Sequence, residues 1–402
     1  MFRSLRNRNY RLFMSGQVIS NVGTWMQRIA QDWLVLQLTH NSGTALGITT
    51  GLQFLPMLLF GLWGGVIVDR FPRRRLLMFS QLGLGLPALI LGVLAVTGNA
   101  QVWHVYVLAF VLGMATVFDN PARQTFVVEM VGKDDLPNAI ALNSATFNGA
   151  RMVGPAVAGV LIALVGTGPV FLINAASFGA VILGLWMMRE DELHVLPPVP
   201  RKKGQLREGL RYVRDRPDLV SVLVTVALVA GFSMNFQITT SLVATEVFGR
   251  GASEFGLAST LLALGSMSGA LLAARRVAPS RRLLYGSVLV FGVLEVLVGL
   301  MPSWPAFLLM LVPAGLALMT FTTAANATLQ LGVSGEMRGR VMALYMLVFM
   351  GTNPIASPFI GWVAETFGAR SSIVLGGLVA VMTATAVIAY PRIRRETVVS
   401  SA

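Results

Sequence analysis

Arg28 and Asp32 stand four residues apart inside a long apolar run near the N-terminus, a spacing at which helical side chains can pair. Gln17 and Asn21 fall near the same helical face, with Thr24 beside them. Ionisable groups within hydrocarbon are costly and usually face a water-filled path or a partner. A carboxylate so placed can take up and release a proton, and a guanidinium beside it can bind solute. The alternative is a structural ion pair, or for Asp32 a place at the outer interface, where a charge costs little. Arg151 lies about a dozen residues into another apolar run, near its middle by helical rise. Asn143 and Asn148 stand close by on that segment. Arg151 suits solute contact or an ion-pair gate, against a fixed bond to Asp32 or to backbone carbonyls. Asn235 and Gln237, and more weakly Thr322, Thr323 and Asn326, suit hydrogen bonding to solute or, equally, bonding between helices.

A second set of residues could switch conformation rather than bind. Gly65, Asp69, Arg70, Arg73, Arg74 and Arg75 follow one apolar run, and Asp119 and Arg123 stand one helical turn apart at the end of another. The arginines alone would set topology. Asp69 is less expected there, because a carboxylate at a helix end can sit on a helix N-terminus or bond to arginine. Asp119 and Arg123 could join Asp69 in a gate or form a solvated interface pair. Gly154, Pro155 and Gly159 combine close helix approach with a bend, although membrane helices are enriched in glycine and proline anyway. Glu295 is a lone carboxylate in an apolar run; protonation, an outer-interface position or an oligomer contact could each explain it. Trp25, Trp33, Phe232, Phe236 and many of the 20 methionines could line a cavity for bulky apolar solutes or simply pack helices.

Other chemistries find little support. The chain has no cysteine, and His40, His104 and His194 are scattered singly, so no metal or cofactor is expected. Lys133, Lys202 and Lys203 are the only lysines and none sits in a phosphate-binding loop, which argues against direct use of ATP. No Ser/His/Asp cluster suggests an enzyme.

The elements that must position these groups are membrane helices. Of 402 residues, 55% are hydrophobic and 12% charged, about half the charge a water-soluble surface carries. Apolar runs long enough to cross a bilayer fall at about 12–38, 44–68, 76–97, 102–122, 138–164, 168–188, 219–247, 253–274, 283–301, 305–330, 341–364 and 371–391. The basic N-terminal segment precedes the first run, which reads as a retained helix rather than a signal peptide. The net charge of +13 comes from basic residues between the runs. They collect before span 1, after spans 2, 4, 6, 8 and 10, and after span 12, whereas the opposite loops hold only Arg250 and Arg370. That segregation places both termini in the cytoplasm and, with the lipid bilayer as the expected partner, removes any need for nucleic acid to account for the charge. The expected organisation is an N-terminal six-helix bundle over 1–188, a linker over 189–218 and a C-terminal six-helix bundle over 219–402. Within the linker, 204–216 reads as a basic amphipathic helix on the inner membrane surface.

The halves also repeat. Phe71-Pro72-Arg73-Arg74-Arg75-Leu76-Leu77 matches Ala278-Pro279-Ser280-Arg281-Arg282-Leu283-Leu284, Arg6-Asn7-Arg8 echoes Arg214-Asp215-Arg216, Asn120 to Gln124 echoes Asn326 to Gln330, and Gly154-Pro155 pairs with Ser357-Pro358. All four fall near one offset of about half the chain. Since six is even, the duplicated halves enter the membrane in the same sense, giving parallel repeats.

With these residues in view, the chain resembles the major facilitator superfamily. The segment Gly65-Val66-Ile67-Val68-Asp69-Arg70-Phe71-Pro72-Arg73-Arg74-Arg75 is similar to that family's signature loop, with Pro72 in place of its second glycine. Gly149-Ala150-Arg151-Met152-Val153-Gly154-Pro155-Ala156-Val157-Ala158-Gly159 is similar to the Gly-Pro motif of its exporters, with Ala150 and Ala158 replacing glycines. Together with Asp119 to Gln124 and Asn235-Phe236-Gln237, these segments look most like the enterobactin-exporter and macrolide-efflux branch. The resemblance implies an all-α polytopic membrane protein of twelve helices in two pseudo-symmetric halves. It implies that Asp69 holds the halves together on the cytoplasmic side, and that span 9, with Glu295, is peripheral and faces lipid. It implies a secondary active exporter of amphipathic drugs or siderophore-like metabolites, exchanged for protons by alternating access. That exporter would be a monomer in the cell inner membrane. An importer or uniporter on the same fold is the alternative, and a membrane-embedded enzyme or signalling subunit a more distant one.

Overall fold

The computed structural model describes residues 3–68, 70–194, 205–275 and 280–399, and apart from turns these are helical. Asn7 starts the first long helix by accepting a hydrogen bond from the Tyr10 backbone N–H at 3.1 Å, which satisfies one of the free amides of that terminus. The helices are α1 (Arg8–Leu38), α2 (Gly43–Val68), α3 (Arg73–Val96), α4 (Val102–Val165), α5 (Thr167–Trp186), α6 (Gln205–Arg214), α7 (Pro217–Leu228), α8 (Phe236–Leu242), α9 (Ala252–Ala274), α10 (Arg281–Leu300), α11 (Trp304–Leu331), α12 (Gly335–Gly351), α13 (Asn353–Phe367) and α14 (Ala369–Val399).

Among the described residues, 10 segments are long and apolar enough to cross a membrane. The longest is α4, which holds two spans because Gly132 breaks it with φ 70° and ψ −177°. Glycine suits this left-handed position because it has no side chain to clash with the preceding carbonyl. α1 is not among the ten, being enriched in polar residues, but its 31 residues are ample to span. Counting α4 twice and adding α1 gives twelve. The sequence expectation of a loop over 123–137 is corrected: both arms of α4 continue helical to Gly132, well beyond the apolar stretches.

The seventh span is not the single helix expected over 219–247. It runs as α7, a π-helical turn over Val229–Ser233, a break at Met234 and Asn235, α8, and a second π-helical turn over Val243–Val247. The eleventh is likewise interrupted, at Thr352 between α12 and α13.

The chain divides into two compact units, one of residues Met1–Arg201 with Arg250–Thr260 and the other of Lys202–Gly249 with Leu261–Ala402. In the first unit α1 packs on α4 and α5, α2 on α4, and α3 on α4 and α5. In the second, α10 packs on α11 and α14, α13 on α14, and α6 on α12. Both units repeat one device, a glycine laid against a carbonyl of the neighbouring helix. A side chain on Gly113 of α4 would strike the Gln53 carbonyl of α2, and one on Gly315 of α11 would strike the Leu262 carbonyl of α9. Small residues at such crossings let membrane helices approach to backbone contact.

Candidate functional site

In the first unit two guanidiniums converge on one ring. The Arg28 guanidinium lies 4.6 Å from the centre of Trp25, one turn earlier on α1. Arg151, on the second arm of α4, lies 5.6 Å from the same ring. Phe147 closes the cluster edge-on to Trp25, with ring centres 5.8 Å apart. Aromatic faces attract cations, so Trp25 offsets part of the repulsion between two neighbouring arginines. Asp32 follows Arg28 by four residues, is 5% exposed, and interacts electrostatically with it. Asn21, one turn before Trp25 on the same helix, is buried. Asn148 stands one turn before Arg151, with its amide donating to the Ser144 carbonyl at 2.9 Å. The structure therefore brings Arg28, Asp32 and Arg151 together, with Trp25 as the platform between the two cations.

The Gly-Pro segment lies directly behind this cluster. A side chain on Gly154 would run into the Cβ of Trp25 and lie 3.1 Å from the Val22 carbonyl. On the other side of the same arm, a side chain on Gly159 would meet the Ala252 carbonyl at 2.8 Å, and Gly256 is packed as tightly against Gly159 and Pro155. Pro155 has no N–H with which to continue the helix ladder. The exposed backbone is partly served by Thr260, whose hydroxyl donates to the Met152 carbonyl at 3.2 Å. Glycine and proline together thus let residues 252–260 cross the arm at backbone distance beside Arg151.

The predicted gate residues separate into three groups. Asp69 lies outside the described residues, and of Gly65 only its place in the last turns of α2 is described. Arg70 is exposed in the turn that follows. Arg73 pairs with Glu129 of α4, and their side chains are 12% and 7% exposed. Arg74 donates to the Leu185 carbonyl at 2.7 Å and the Trp186 carbonyl at 2.8 Å, and its third contact is Glu190 at 2.5 Å. It thereby caps the C-terminus of α5, where unpaired carbonyls concentrate negative charge. Asp119 and Arg123 form a buried ion pair, not the solvated interface pair entertained from sequence. Asp119 also accepts from Ser80 at 2.8 Å and Gln81 at 2.7 Å, while Arg123 donates to Gln17 at 2.6 Å. Gln17 thus serves α4 rather than the Arg28 cluster.

In the second unit Asn235 is buried, and its amide is used twice. It donates to the Gly231 carbonyl at 2.6 Å and accepts from the Ser357 hydroxyl of α13 at 2.8 Å. The first bond captures a carbonyl freed by the π-helical turn, and the second ties one interrupted span to another. Asn235 thus bonds between helices here. Gln237 is half-buried on α8. Thr322 and Thr323 bond back to the Met319 carbonyl, and Asn326 accepts from Gln330 at 2.5 Å. Phe236 packs on Phe291 and Phe232 on Phe359, each pair with centres 6.0 Å apart. The expectation that Glu295 faces lipid is corrected: it is 3% exposed and directed between α14 and the turn over Val229–Ser233.

Sequence reasoning missed Glu129, Gln27 and Asn174. Gln27 of α1 and Asn174 of α5 are buried and hydrogen-bonded to each other. A polar residue on each of two strongly apolar segments was the available signal, but nothing in the chain says which two meet. Among the described residues no group of three or more His, Cys, Asp or Glu is placed to hold a metal ion.

A profile of transmembrane secretion effectors matches residues 1–401. The chain belongs to that family, within the major facilitator superfamily. It is a multi-pass membrane transporter rather than an enzyme. The multidrug efflux pump Tap of Mycolicibacterium fortuitum is 26% identical over 95% of this chain and 96% of its own. The staphyloferrin A transporter of Staphylococcus aureus is 24% identical over 89% of each chain. Among solved structures, a bacterial homologue of the human lysosomal transporter Spinster superposes with a TM-score of 0.76. It is 16% identical, with 94% of this chain and 96% of that one covered. At that identity the likeness speaks for the fold alone, and the fold it gives is the twelve-helix architecture described above.

Proposed function

We propose that this transporter exports amphipathic small molecules, drugs or siderophore-like metabolites, in exchange for protons, with Arg28, Arg151 and Trp25 in the solute path and Asp32 as the proton carrier. The observation that carries the reading is the convergence of two guanidiniums on a single indole within the bilayer-spanning part of one unit, with the Asp32 carboxylate acting electrostatically on one of them. With all three groups ionised the cluster holds one net positive charge. The ring can hold a flat apolar part of a solute whose polar groups bond to the guanidiniums and to the ionised Asp32. Solute held on the Asp32 carboxylate and a proton compete for the same few atoms, so binding of one releases the other. Export, as opposed to uptake, is supported by two relatives whose names describe a multidrug efflux pump and a staphyloferrin A transporter, and by the Gly154–Pro155–Gly159 crossing beside Arg151. Asn21, Asn148 and Gln237 line the path, while the arginines after α2, with Gly65, Asp69, Asp119 and Arg123, hold the cytoplasmic gate. The two bundles and the linker between them alternate access about the site, as a monomer in the inner membrane with both termini cytoplasmic.

The test uses everted membrane vesicles. Acidifying their interior drives accumulation of an exported amphipath by the unaltered protein. Asp32→Asn abolishes the response to the gradient, whereas Arg28→Ala and Arg151→Ala lower affinity for the solute. Full proton-driven transport by Asp32→Asn rejects Asp32 as carrier, and accumulation driven by the opposite gradient rejects export. Tags reporting opposite faces for the two ends would reject the orientation.

A further inference from the structure

Glu295 is the deeply buried carboxylate of the second unit, and nothing said so far uses it. It lies in the middle of α10, 3% exposed, and one of its oxygens, Oε2, has no hydrogen-bond partner. The other oxygen points at Gly376 of α14, where an added side chain would lie 2.8 Å from it and 2.8 Å from the Phe232 carbonyl. Gly376 is therefore what lets α14 lie against both the carboxyl and the π-helical turn. Ser233, the last residue of that turn, lies beside Glu295 and donates its hydroxyl to the Gly376 carbonyl at 2.7 Å.

A serine hydroxyl has one proton to give and two lone pairs with which to accept. A backbone carbonyl can only accept, so the proton of Ser233 is committed to Gly376. The remaining contact, with Glu295, is a hydrogen bond only if the carboxyl brings the proton. The chain Glu295 O–H to Ser233 Oγ–H to Gly376 C=O is complete with Glu295 neutral and broken with it ionised. Among the described residues no cation stands beside Glu295 to hold the ionised form. Among the described residues α11, α8 and the turn over 229–233 have no charged side chain. On α10 the other titratable groups are Arg281, Arg282 and Tyr285, at its start. On α14 Arg370 lies over the Phe248 ring at 5.5 Å, and Tyr390, Arg392, Arg394, Arg395 and Glu396 belong to its far end. Asp218 opens α7 and is held by Arg216. Two features mark the place as built to change: π-helical turns are rare and gather at functional sites, and the helix breaks immediately after Ser233.

We propose that Glu295 is a proton-binding site of the second unit whose occupancy decides where Ser233 donates. With the proton in place, Ser233 bonds to Gly376 and pins α14 to the turn over Val229–Ser233. When the proton leaves to water, the carboxylate draws the Ser233 hydroxyl onto itself, the Gly376 carbonyl loses its donor, and the turn next to the break is released. This inference does not rest on export being proton-driven, since a proton site can act with or without a coupled gradient.

The experiment follows the purified, reconstituted full chain by infrared spectroscopy and by amide hydrogen exchange, with no gradient or solute. The unaltered protein at neutral pH shows a carboxylic-acid C=O band that disappears in Glu295→Gln and titrates away towards alkaline pH. Over the same range, exchange at 229–235 rises after correction for its intrinsic pH dependence. In Glu295→Gln it stays slow throughout, and in Ser233→Ala it is fast throughout. Labelling the unaltered chain with carbon-13 glutamate shifts the band and keeps the assignment testable should a variant not assemble. A spectrum without a glutamic-acid band at neutral pH, a band that persists at every pH, or exchange in Glu295→Gln that follows pH as the unaltered protein does would each overturn the proposal. Because carbon-13 glutamate labelling separates a glutamic-acid band from any band of Asp32, failure here is distinct from failure of the proton carrier in the first unit.

Discussion

The first span of each half shows how differently the two units handle polar groups in hydrocarbon. α1 is an unbroken helix of 31 residues with Gln17, Asn21, Gln27, Arg28, Gln31 and Asp32 along it. Its three glutamines find partners on other helices, Gln17 on Arg123, Gln27 on Asn174 and Gln31 on Gln53, whereas Arg28 interacts with Asp32 and Trp25 along α1 itself. Its counterpart, the seventh span, has only uncharged polar side chains (Ser, Thr, Asn and Gln) between Asp218 and Glu246, yet its backbone is interrupted twice by π-helical turns. Asn235 and Ser233 there bond to backbone carbonyls rather than to charges. The comparison teaches that a duplicated scaffold can place polarity in the membrane either as paired side chains on a regular helix or as irregular backbone satisfied by small polar side chains. Both satisfy the rule that buried polar groups need partners, but charges fix a helix face whereas a broken ladder leaves room to rearrange.

Breaking the charge network of the first unit has the largest expected effect. Asp119→Ala leaves the part-buried Arg123 without its counter-ion and Ser80 and Gln81 without their acceptor, a loss of about 3–5 kcal/mol. A lowered unfolding temperature in detergent reports it, and Asp119→Leu with Arg123→Met recovers much of it. Equal stability of the single variant and the unaltered protein would show that the network contributes nothing. The shared scaffold comes next. Gly113→Leu and Gly315→Leu each force apart a backbone crossing, in the first and second units respectively, and each costs about 1–3 kcal/mol or more. Comparable loss of folded yield from both would sharpen the view that the units share one frame, whereas tolerance of one substitution alone would break it. In the second unit, Asn235→Ala removes the bond to Ser357 and the cap on Gly231 for about 1–2 kcal/mol. Ser357→Ala, which loses only the first, should cost less by the same melting assay. The smallest effect belongs to Arg340 and Glu208, which join α12 to α6 at 2.6 Å with Glu208 largely exposed. Glu208→Gln should change stability by less than about 1 kcal/mol, and the difference should vanish in high salt.

The span positions were legible because crossing a bilayer is a local demand: about 20 apolar residues between polar flanks can be read off the chain without knowing what each helix touches. The repeat was legible for the same reason, as local patterns recurring at one offset. Arg28, Asp32 and Arg151 stood out because a charge in such a run is conspicuous wherever the helix packs. Their common platform, Trp25, did not stand out as one, since an indole in an apolar helix is ordinary until two guanidiniums are seen over it. The loop expected at 123–137 failed because helices continue beyond the membrane once polar residues such as Glu129 and Arg73 can pair there. The breaks in the seventh and eleventh spans left no mark in hydropathy, which is indifferent to whether a carbonyl bonds four or five residues on.

By itself the sequence determined how many segments cross the membrane and where their charges lie, because hydrophobic transfer and charge placement act on each segment separately. It also determined that the two halves share a plan. Only the tertiary structure decided which polar groups meet, that Asp119 and Arg123 are buried together, that Arg74 closes α5, and that Glu295 points inward to Ser233 and Gly376 rather than to lipid. The reason is geometric. A helix presents every side chain to some direction, and which direction is protein depends on neighbours far along the chain, 147 residues away for Gln27 and Asn174.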